Sequence, residues 1–431
     1  VRSAGHDVDI LDCEQSRITP EVRDRRLAEP WDVVGFQVFN NGLKSFRQLI
    51  TKVKASDPQR VTLAGGPLAS GMAEWLLDRH PLLDYVLKGE AEESIVRFLA
   101  CLEGKCSPAE VPGLVYRDGD TIRSGPGLVP PALDRVLPPA WDLIRPDAYP
   151  NAPVGGVASG FPVGPLITSR GCPFACPYCA AQVIHGRGFR AHPWQAVLEE
   201  MRKLVQEYGV REIQILDDCF GFDREQAEAL LNAYIEVPWQ VPLSFPNGMR
   251  LDLVDPPLLS LLERAGTNAL TFGIDFGSDS MLRRSNRRMS VADIRDRVRM
   301  IKANSRLRVT GNFILGHFDD SLEGMLETVS LACELPLDRA HFSAFLPIPG
   351  SRDWDRIRHE FDGGNLDIET MDFSSFSLRH PDISRSRLLR LKRHAMMRFY
   401  LHPRRLLVLI RDTGSLRNLW HLLHKARYHM R

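Results

Sequence analysis

One rhythm constrains this chain more than any other feature. Short apolar runs alternate with amphipathic segments of helical period, and they do so on both sides of a stretch too rich in proline to fold regularly. In the front part, strand-sized runs fit residues 7–11, 32–39, 60–64 and 85–87, and helical periods fit 45–55, 71–78 and 92–102. Strands separated by helices are joined by crossovers, so this part is expected to be a parallel, doubly wound sheet. Residues 1–4 read as the end of a helix stopped by Gly5. The first strand of such a sheet is therefore expected upstream of Val1, and a valine in the first position fits a clipped start.

Residues 113–124 read as a hairpin turned at Asp118-Gly119. Ten of the thirty prolines and six glycines fall between Ser124 and Pro165, a density that sustains neither helix nor central strand. A domain boundary is expected there. Beyond it the alternation resumes in longer units, with strands over 164–169, 212–217, 242–249, 269–275, 308–315 and 340–346. Helices fit between them over 192–208, 224–235, 256–265, 291–304 and 321–334. Six strand-helix rounds suggest a partial (β/α)6 barrel whose chemistry sits at the carboxyl ends of its strands. The expected division is 1–105, a Rossmann-like front domain; 106–163, hairpin and linker; 164–352, the barrel; and 353–431, a helical C-terminal region.

The 431 residues carry 55 basic and 54 acidic side chains, a net charge of +1, which argues against a nucleic-acid binder working by bulk charge. No run approaches the ~18 apolar residues of a membrane span, and the N-terminus lacks the pattern of a signal peptide, so a cytoplasmic location is expected. Eight cysteines in such a chain point to metal or redox chemistry rather than to disulfides. From Arg385 to Arg431 thirteen Lys or Arg face a single acid, Asp412, a local +12 that leaves −11 for the rest. A helical appendage packed on the barrel and a basic amphipathic pair on an anionic membrane are the two readings of that tail.

The loop after the first barrel strand reads Thr168-Ser-Arg-Gly-Cys172-Pro-Phe-Ala-Cys176-Pro-Tyr-Cys179. Three thiolates within eight residues, on a loop opened by a glycine and two prolines, can converge on one centre. Structural zinc wants four protein ligands, and only His185 and His192 lie near enough in sequence to complete such a set. An iron-sulfur cluster with three protein ligands and one open iron fits the count better.

This spacing, after the first strand of a strand-helix barrel, resembles the radical S-adenosylmethionine (SAM) superfamily. The resemblance implies that Cys172, Cys176 and Cys179 bind a 4Fe-4S cluster whose open iron takes SAM, with Tyr178 near the adenine. It implies that Asp217 and Asp218, in Ile213-Gln-Ile-Leu-Asp-Asp218, meet the SAM amino group, although the same aspartates could simply cap the helix that follows. Gly273-Ile-Asp-Phe-Gly-Ser278 resembles the family's Gly-Ile-Glu-Ser-Gly-Ser, which assigns Asp275 and Ser278 to the ribose side; the shorter acid reaches one methylene less far. Arg287 stands at the basic position that meets the SAM carboxylate, and Gly316 and the stretch Leu346-Pro-Ile-Pro-Gly350 match later strand ends. Cys219, at a strand end facing the same place, is the one other cysteine with a possible part in the chemistry.

Val61-Thr-Leu-Ala-Gly65-Gly66-Pro67 and Leu87-Lys-Gly89-Glu90-Ala-Glu92 resemble the cobalamin-binding domain that precedes the barrel in one branch of the superfamily. The resemblance spans roughly residues 5–352 and implies three cofactors: the cluster, SAM, and cobalamin at Gly65, Gly66 and Gly89. The implied activity is methylation of an unactivated carbon or phosphorus in a small-molecule or lipid substrate. A radical cyclisation or rearrangement is the alternative within the family, and a non-catalytic iron-sulfur electron carrier the alternative outside it. A low-potential electron donor of flavodoxin or ferredoxin type is the implied partner; no residue is singled out as catalytic.

Overall fold

The structure is a computed structural model that describes residues 1–151, 158–364 and 366–413. Its N-terminal segment leads through helix α1 (Pro20–Leu27) into β1 (Val33–Gln37). Helix α2 (Leu43–Ser56) follows, then β2 (Val61–Gly65), the short helices α3 (Pro67–Gly71) and α4 (Ala73–Arg79), and β3 (Tyr85–Leu87). Helix α5 (Ser94–Leu102) closes this part before the hairpin β4 (Leu114–Asp118) and β5 (Thr121–Ser124). Helix α2 forms because Leu43, Phe46, Ile50 and Val53 recur on one face; all four are buried, each contributing about 1.5–3 kcal/mol.

The front sheet runs β1-β2-β3-β4-β5, its first three strands parallel and the hairpin antiparallel. The hairpin expected in the connecting region is thus the edge of the front sheet. Residues 7–11 do not form the strand expected of them: a strand needs a laddered neighbour, and among the described residues they have none. Helix α1 was not apparent in the sequence because Pro-Glu-Val-Arg-Asp-Arg-Arg-Leu is mostly charged and buries only Leu27; it is held instead by Thr19, which accepts from Val22 N, and by Pro20 in its first turn.

The second sheet begins with β6 (Val163–Leu166). The two-residue strands β7 (Ser169–Arg170) and β8 (Arg190–Ala191) pair with each other and bracket helix α6 (Ala181–His185). Then come α7 (Trp194–Gln206), β9 (Glu212–Ile215), α8 (Arg224–Ile235), β10 (Leu243–Met249), α9 (Pro256–Arg264) and β11 (Thr267–Asp275). Helices α10 (Asp279–Arg284) and α11 (Val291–Asn304) lead to β12 (Arg308–Leu315), α12 (Leu322–Glu334) and β13 (Arg339–Ala344). Six parallel strands lie in the order β6-β9-β10-β11-β12-β13, which is an open, partial barrel. Asp223, Asp255, Ser290 and Ser321 accept backbone N–H groups as N-caps of α8, α9, α11 and α12, fixing where each helix starts.

Helices α13 (Arg352–Asp362), α14 (Arg385–Tyr400) and α15 (Pro403–Thr413) complete the described chain. Leu388, Leu391, Ala395 and Phe399 of α14 enter the barrel core, and Arg405 is buried with Nη2 donating to Cys333 O at 2.7 Å. As far as Arg405 the tail is therefore packed on the barrel; residues 414–431 lie outside the described residues. Leu68, Leu76 and Val86 of the front part share one apolar cluster with Leu346, Trp354 and Ile357, so the front sheet and the barrel mouth are packed against each other. The contact is close: a Cβ on Gly71 would lie 2.7 Å from Pro349 O.

Candidate active site

The cysteine loop occupies residues 171–180, between β7 and α6 at the mouth of the barrel. Gly171 has φ +83, and a Cβ there would meet Gly188 O at 2.1 Å, so the loop closes only because this residue has no side chain. Anchors from five other parts of the chain fix its path. Asn286 Nδ2 donates to Ala175 O (2.9 Å), Asp353 N donates to Pro177 O (3.0 Å) and Gln182 Nε2 donates to Phe174 O (2.9 Å). Asp217, at the end of β9, accepts from Thr168 N (2.6 Å), Thr168 Oγ1 (2.5 Å) and Ser169 Oγ (2.5 Å).

The remaining anchor comes from the front sheet. Glu90, just past β3, has a side chain only 2% exposed, and its carboxylate receives Arg170 Nη1 at 2.7 Å and His185 Nδ1 at 2.8 Å. Arg190 closes the cluster with both terminal nitrogens, Nη1 donating to Oε2 at 3.2 Å and Nη2 to Oε1. Burial pushes Glu90 up, but hydrogen bonds from His185, Arg190 and Arg170 outweigh it and hold the carboxyl down at about 2. On its far side His185 Nε2 lies 3.8 Å from Asp218 Oδ2, linking the front sheet to the end of β9. In the sequence Glu90 stands next to a candidate glycine with no role of its own. An acid that follows a strand-end glycine, with arginines flanking the cysteine loop, was the available signal.

The expected site residues fall into two groups. Tyr178, Asp275 and Arg287 come together: Tyr178 OH donates to Asp275 Oδ2 at 2.5 Å, and Arg287 Nη2 pairs with the same oxygen. Asp275 sits at the end of β11 with φ +66, a conformation few non-glycine residues adopt. Burial raises the Tyr178 phenol well above its usual range. Arg287 Nε is buried with no partner, a donor aimed at nothing in the protein.

The other expected residues are separated from that cluster or already occupied. Asp217 is buried and accepts three hydrogen bonds from Thr168 and Ser169, whereas Asp218 is exposed toward the cysteine loop. Ser278 is the N-cap of α10, accepting from Met281 N at 3.4 Å. Gly316 (φ +83) backs directly onto Phe376, whose ring a Cβ would meet at 2.6 Å, so no side chain fits there. Gly65, Gly66 and Gly89 end β2 and β3; a Cβ on Gly66 (φ +93) would lie 3.1–3.3 Å from Gln37 and Val38, and one on Gly89 3.2 Å from Ile184 O beside the cysteine loop.

The donor chemistry of the loop suits a cluster. Cys179 is exposed and stands near both Cys172 and Cys176, and a hydrogen bond with buried Cys219 lowers the Cys172 thiol to about 7. Among the described residues no three Cys, His, Asp or Glu side chains are gathered as a single metal ion requires. A cubane, with its irons at separate corners, asks for thiolates further apart than zinc does. Both expected zinc partners are otherwise placed, His185 on Glu90 and His192 just past β8, its backbone N–H donating to Thr168 O. The orphan Arg287 donor and the exposed Asp218 carboxylate, touched only loosely by His185 at 3.8 Å, likewise fit the carboxylate and ammonium of SAM.

Two family descriptions match this chain: the radical SAM superfamily over residues 166–332 and the B12 binding domain over residues 1–99. The chain belongs to the B12-binding branch of the radical SAM superfamily. This radical SAM protein is 26% identical over 416 residues to an uncharacterised methyltransferase of Pyrococcus horikoshii, covering 94% of this chain and 86% of the relative. It is 29% identical over 351 residues to the cytidylyl-2-hydroxyethylphosphonate methyltransferase of Streptomyces wedmorensis, covering 74% of this chain and 65% of that enzyme, just under two thirds of its length. Its fold resembles the radical SAM methyltransferase TsrM of Kitasatospora setae with a TM-score of 0.65 at 17% identity, over 80% of this chain and 68% of that one. No described helix is long and apolar enough to cross a membrane.

Proposed function

We propose that this radical SAM protein is a cobalamin-dependent methyltransferase that methylates an unactivated carbon or phosphorus of a small molecule. The observation that carries the reading is the Glu90 cluster, which fastens the cysteine loop beneath the carboxyl ends of the front-sheet strands, where ligands of such sheets bind. Cys172, Cys176 and Cys179 hold the 4Fe-4S cluster. Asp218 and Arg287 take the charged end of SAM, and Tyr178 and Asp275 its nucleoside. Gly65, Gly66 and Gly89 let the backbone approach cobalamin. When bound, these groups supply the difficult chemistry, one-electron cleavage of a SAM carbon-sulfur bond and carriage of a methyl group.

The chain's own residues bind, orient and exclude water. Asp217 fixes Thr168 and Ser169 at the root of the cysteine loop, and Arg287, with one nitrogen on Asp275 and Nε free, is oriented toward its ligand before that ligand arrives. The domain limits that serve this function are 1–124 for the cobalamin-binding unit, its hairpin included, and 163–351 for the barrel. The required low-potential electron donor is of flavodoxin or ferredoxin type. A peripheral contact with anionic lipid is assigned to Met397, Leu401, Leu406 and Leu407, exposed apolar residues among the basic side chains of α14 and α15; failure of the full chain to sediment with anionic vesicles would remove it.

Methylation is tested by product analysis under anaerobic turnover with reconstituted protein. S-adenosylhomocysteine formed alongside 5′-deoxyadenosine supports it. Deoxyadenosine alone supports the cyclisation or rearrangement reading, and no cluster-dependent SAM binding at all would leave only an electron carrier.

A further inference from the structure

The proposed chemistry requires an electron from outside, and the structure shows where a donor can come close. Phe174 lies between Cys172 and Cys176 in the cysteine loop. Phe222 meets it edge-on at 5.9 Å and meets Phe189 at 5.0 Å, yet remains 42% exposed, an aromatic ring presented to solvent beside the cluster ligands. Isolated exposed aromatics are ordinary; this one belongs to an aromatic group with cations beside it. The Arg288 guanidinium stands 5.9 Å from the Phe174 centroid, and Arg187 is two residues from Phe189.

These two arginines differ from their neighbours. Arg250, stacked at 3.5 Å on Phe174, is neutralised by Asp252 at 2.8 Å, and Arg284 by Asp319 at 2.8 Å. Arg187 and Arg288 are exposed and make no ion pair among the described residues. Unneutralised charge around an apolar centre is the pattern of a rim that steers a partner of opposite sign onto a hydrophobic contact.

We infer that the face formed by exposed Phe222, Arg187 and Arg288 beside the half-buried Phe174 is the docking surface for an acidic electron-carrier protein, which delivers electrons to the cluster through the Phe174 segment of the cysteine loop. The inference rests on the proposed radical SAM chemistry. Each encounter moves one electron from the reduced carrier to the cluster, oxidising the carrier by one electron and reducing the cluster by one; no bond within the protein forms or breaks. The partner's defining property is an acidic face, which both flavin and iron-sulfur carriers can present.

The test uses the full chain reconstituted with cluster, cobalamin and SAM, and follows 5′-deoxyadenosine formation with three reductants: reduced flavodoxin, reduced ferredoxin, and dithionite. The double variant R187E/R288E is expected to lose about tenfold or more of its rate with one or both protein carriers at low salt, as expected for loss of electrostatic steering. Its rate with dithionite and its iron content are expected to match the parent, and R187K/R288K to restore the protein-driven rate. Which carrier responds identifies the partner's cofactor. Undiminished rates with both carriers would overturn the inference. So would a parallel loss with dithionite, which would mean that the arginines serve the fold or the cofactors. A parent enzyme that makes no deoxyadenosine even with dithionite would fail the functional reading itself, a result distinct from either.

Discussion

Replacing Glu90 by glutamine tests the contact on which the two halves of this protein depend. The substitution keeps the shape but removes an almost fully buried charge that faces Arg170 and Arg190. The native carboxyl is held at about 2 against an ordinary 4.5, a gap of about 2.5 in pKa or roughly 3 kcal/mol. Breaking a buried pair from one side costs on the order of 3–5 kcal/mol by general experience, and Glu92, 2.5 Å from Arg170 but 37% exposed, offsets only part of it. The folded pKa is depressed, so this stabilisation is complete above about pH 4.5 and is lost as pH falls toward 2.

Because the chain has more than one unit, a single melting temperature would blur the effect. Hydrogen exchange resolved to α6 and the β7-β8 pair reads it locally. At neutral pH the variant should exchange there about a hundredfold faster, the equivalent of roughly 3 kcal/mol, while β12 and β13 stay unchanged. A local loss under about 0.5 kcal/mol, the size of an exposed ion pair, would refute the claim that Glu90 clamps the loop.

Other consequences follow from single groups. Gly171→Ala puts a Cβ 2.1 Å from Gly188 O at φ +83, so iron incorporation on reconstitution should fall severely while the far-ultraviolet circular dichroism is kept. Asp320, buried with Oδ2 unpartnered, is pushed up to about 7 by burial; its raised pKa means that stability is lost as pH rises through 7. Asp320→Asn should therefore stabilise the protein by up to a few kcal/mol at pH 8 and by little near pH 4, measured by denaturant titration at each pH. Asp217→Asn should weaken the cysteine loop and lower iron loading, whereas Asp218→Asn should leave iron intact and weaken SAM binding, as read by calorimetry on the cluster-loaded protein.

The strand-helix alternation made the barrel legible, since each of its helices buries one face and most begin at a side-chain cap. The 308–315 strand and the 224–235 and 291–304 helices agree to the residue. Residues 7–11 misled because an apolar pattern shows a tendency and a ladder needs a partner. Tyr178, Asp275 and Arg287 were picked separately by resemblance, and the structure brings them to one oxygen. Glu90 and the division of labour between Asp217 and Asp218 were not legible: adjacent carboxylates are equivalent in a sequence, and only the direction in which each faces separates them. The close packing of Gly316 on Phe376 was not legible either, because that ring, sixty residues on, gave no local sign of needing its space.

The most direct trial of the account is iron and labile sulfide analysis, with low-temperature electron paramagnetic resonance, on anaerobically reconstituted protein. One cubane per chain, with a reduced-state signal that changes on adding SAM and vanishes when Cys172, Cys176 and Cys179 are all changed to alanine, is the predicted result. Bound zinc in place of iron, or iron that survives the triple substitution, would contradict it.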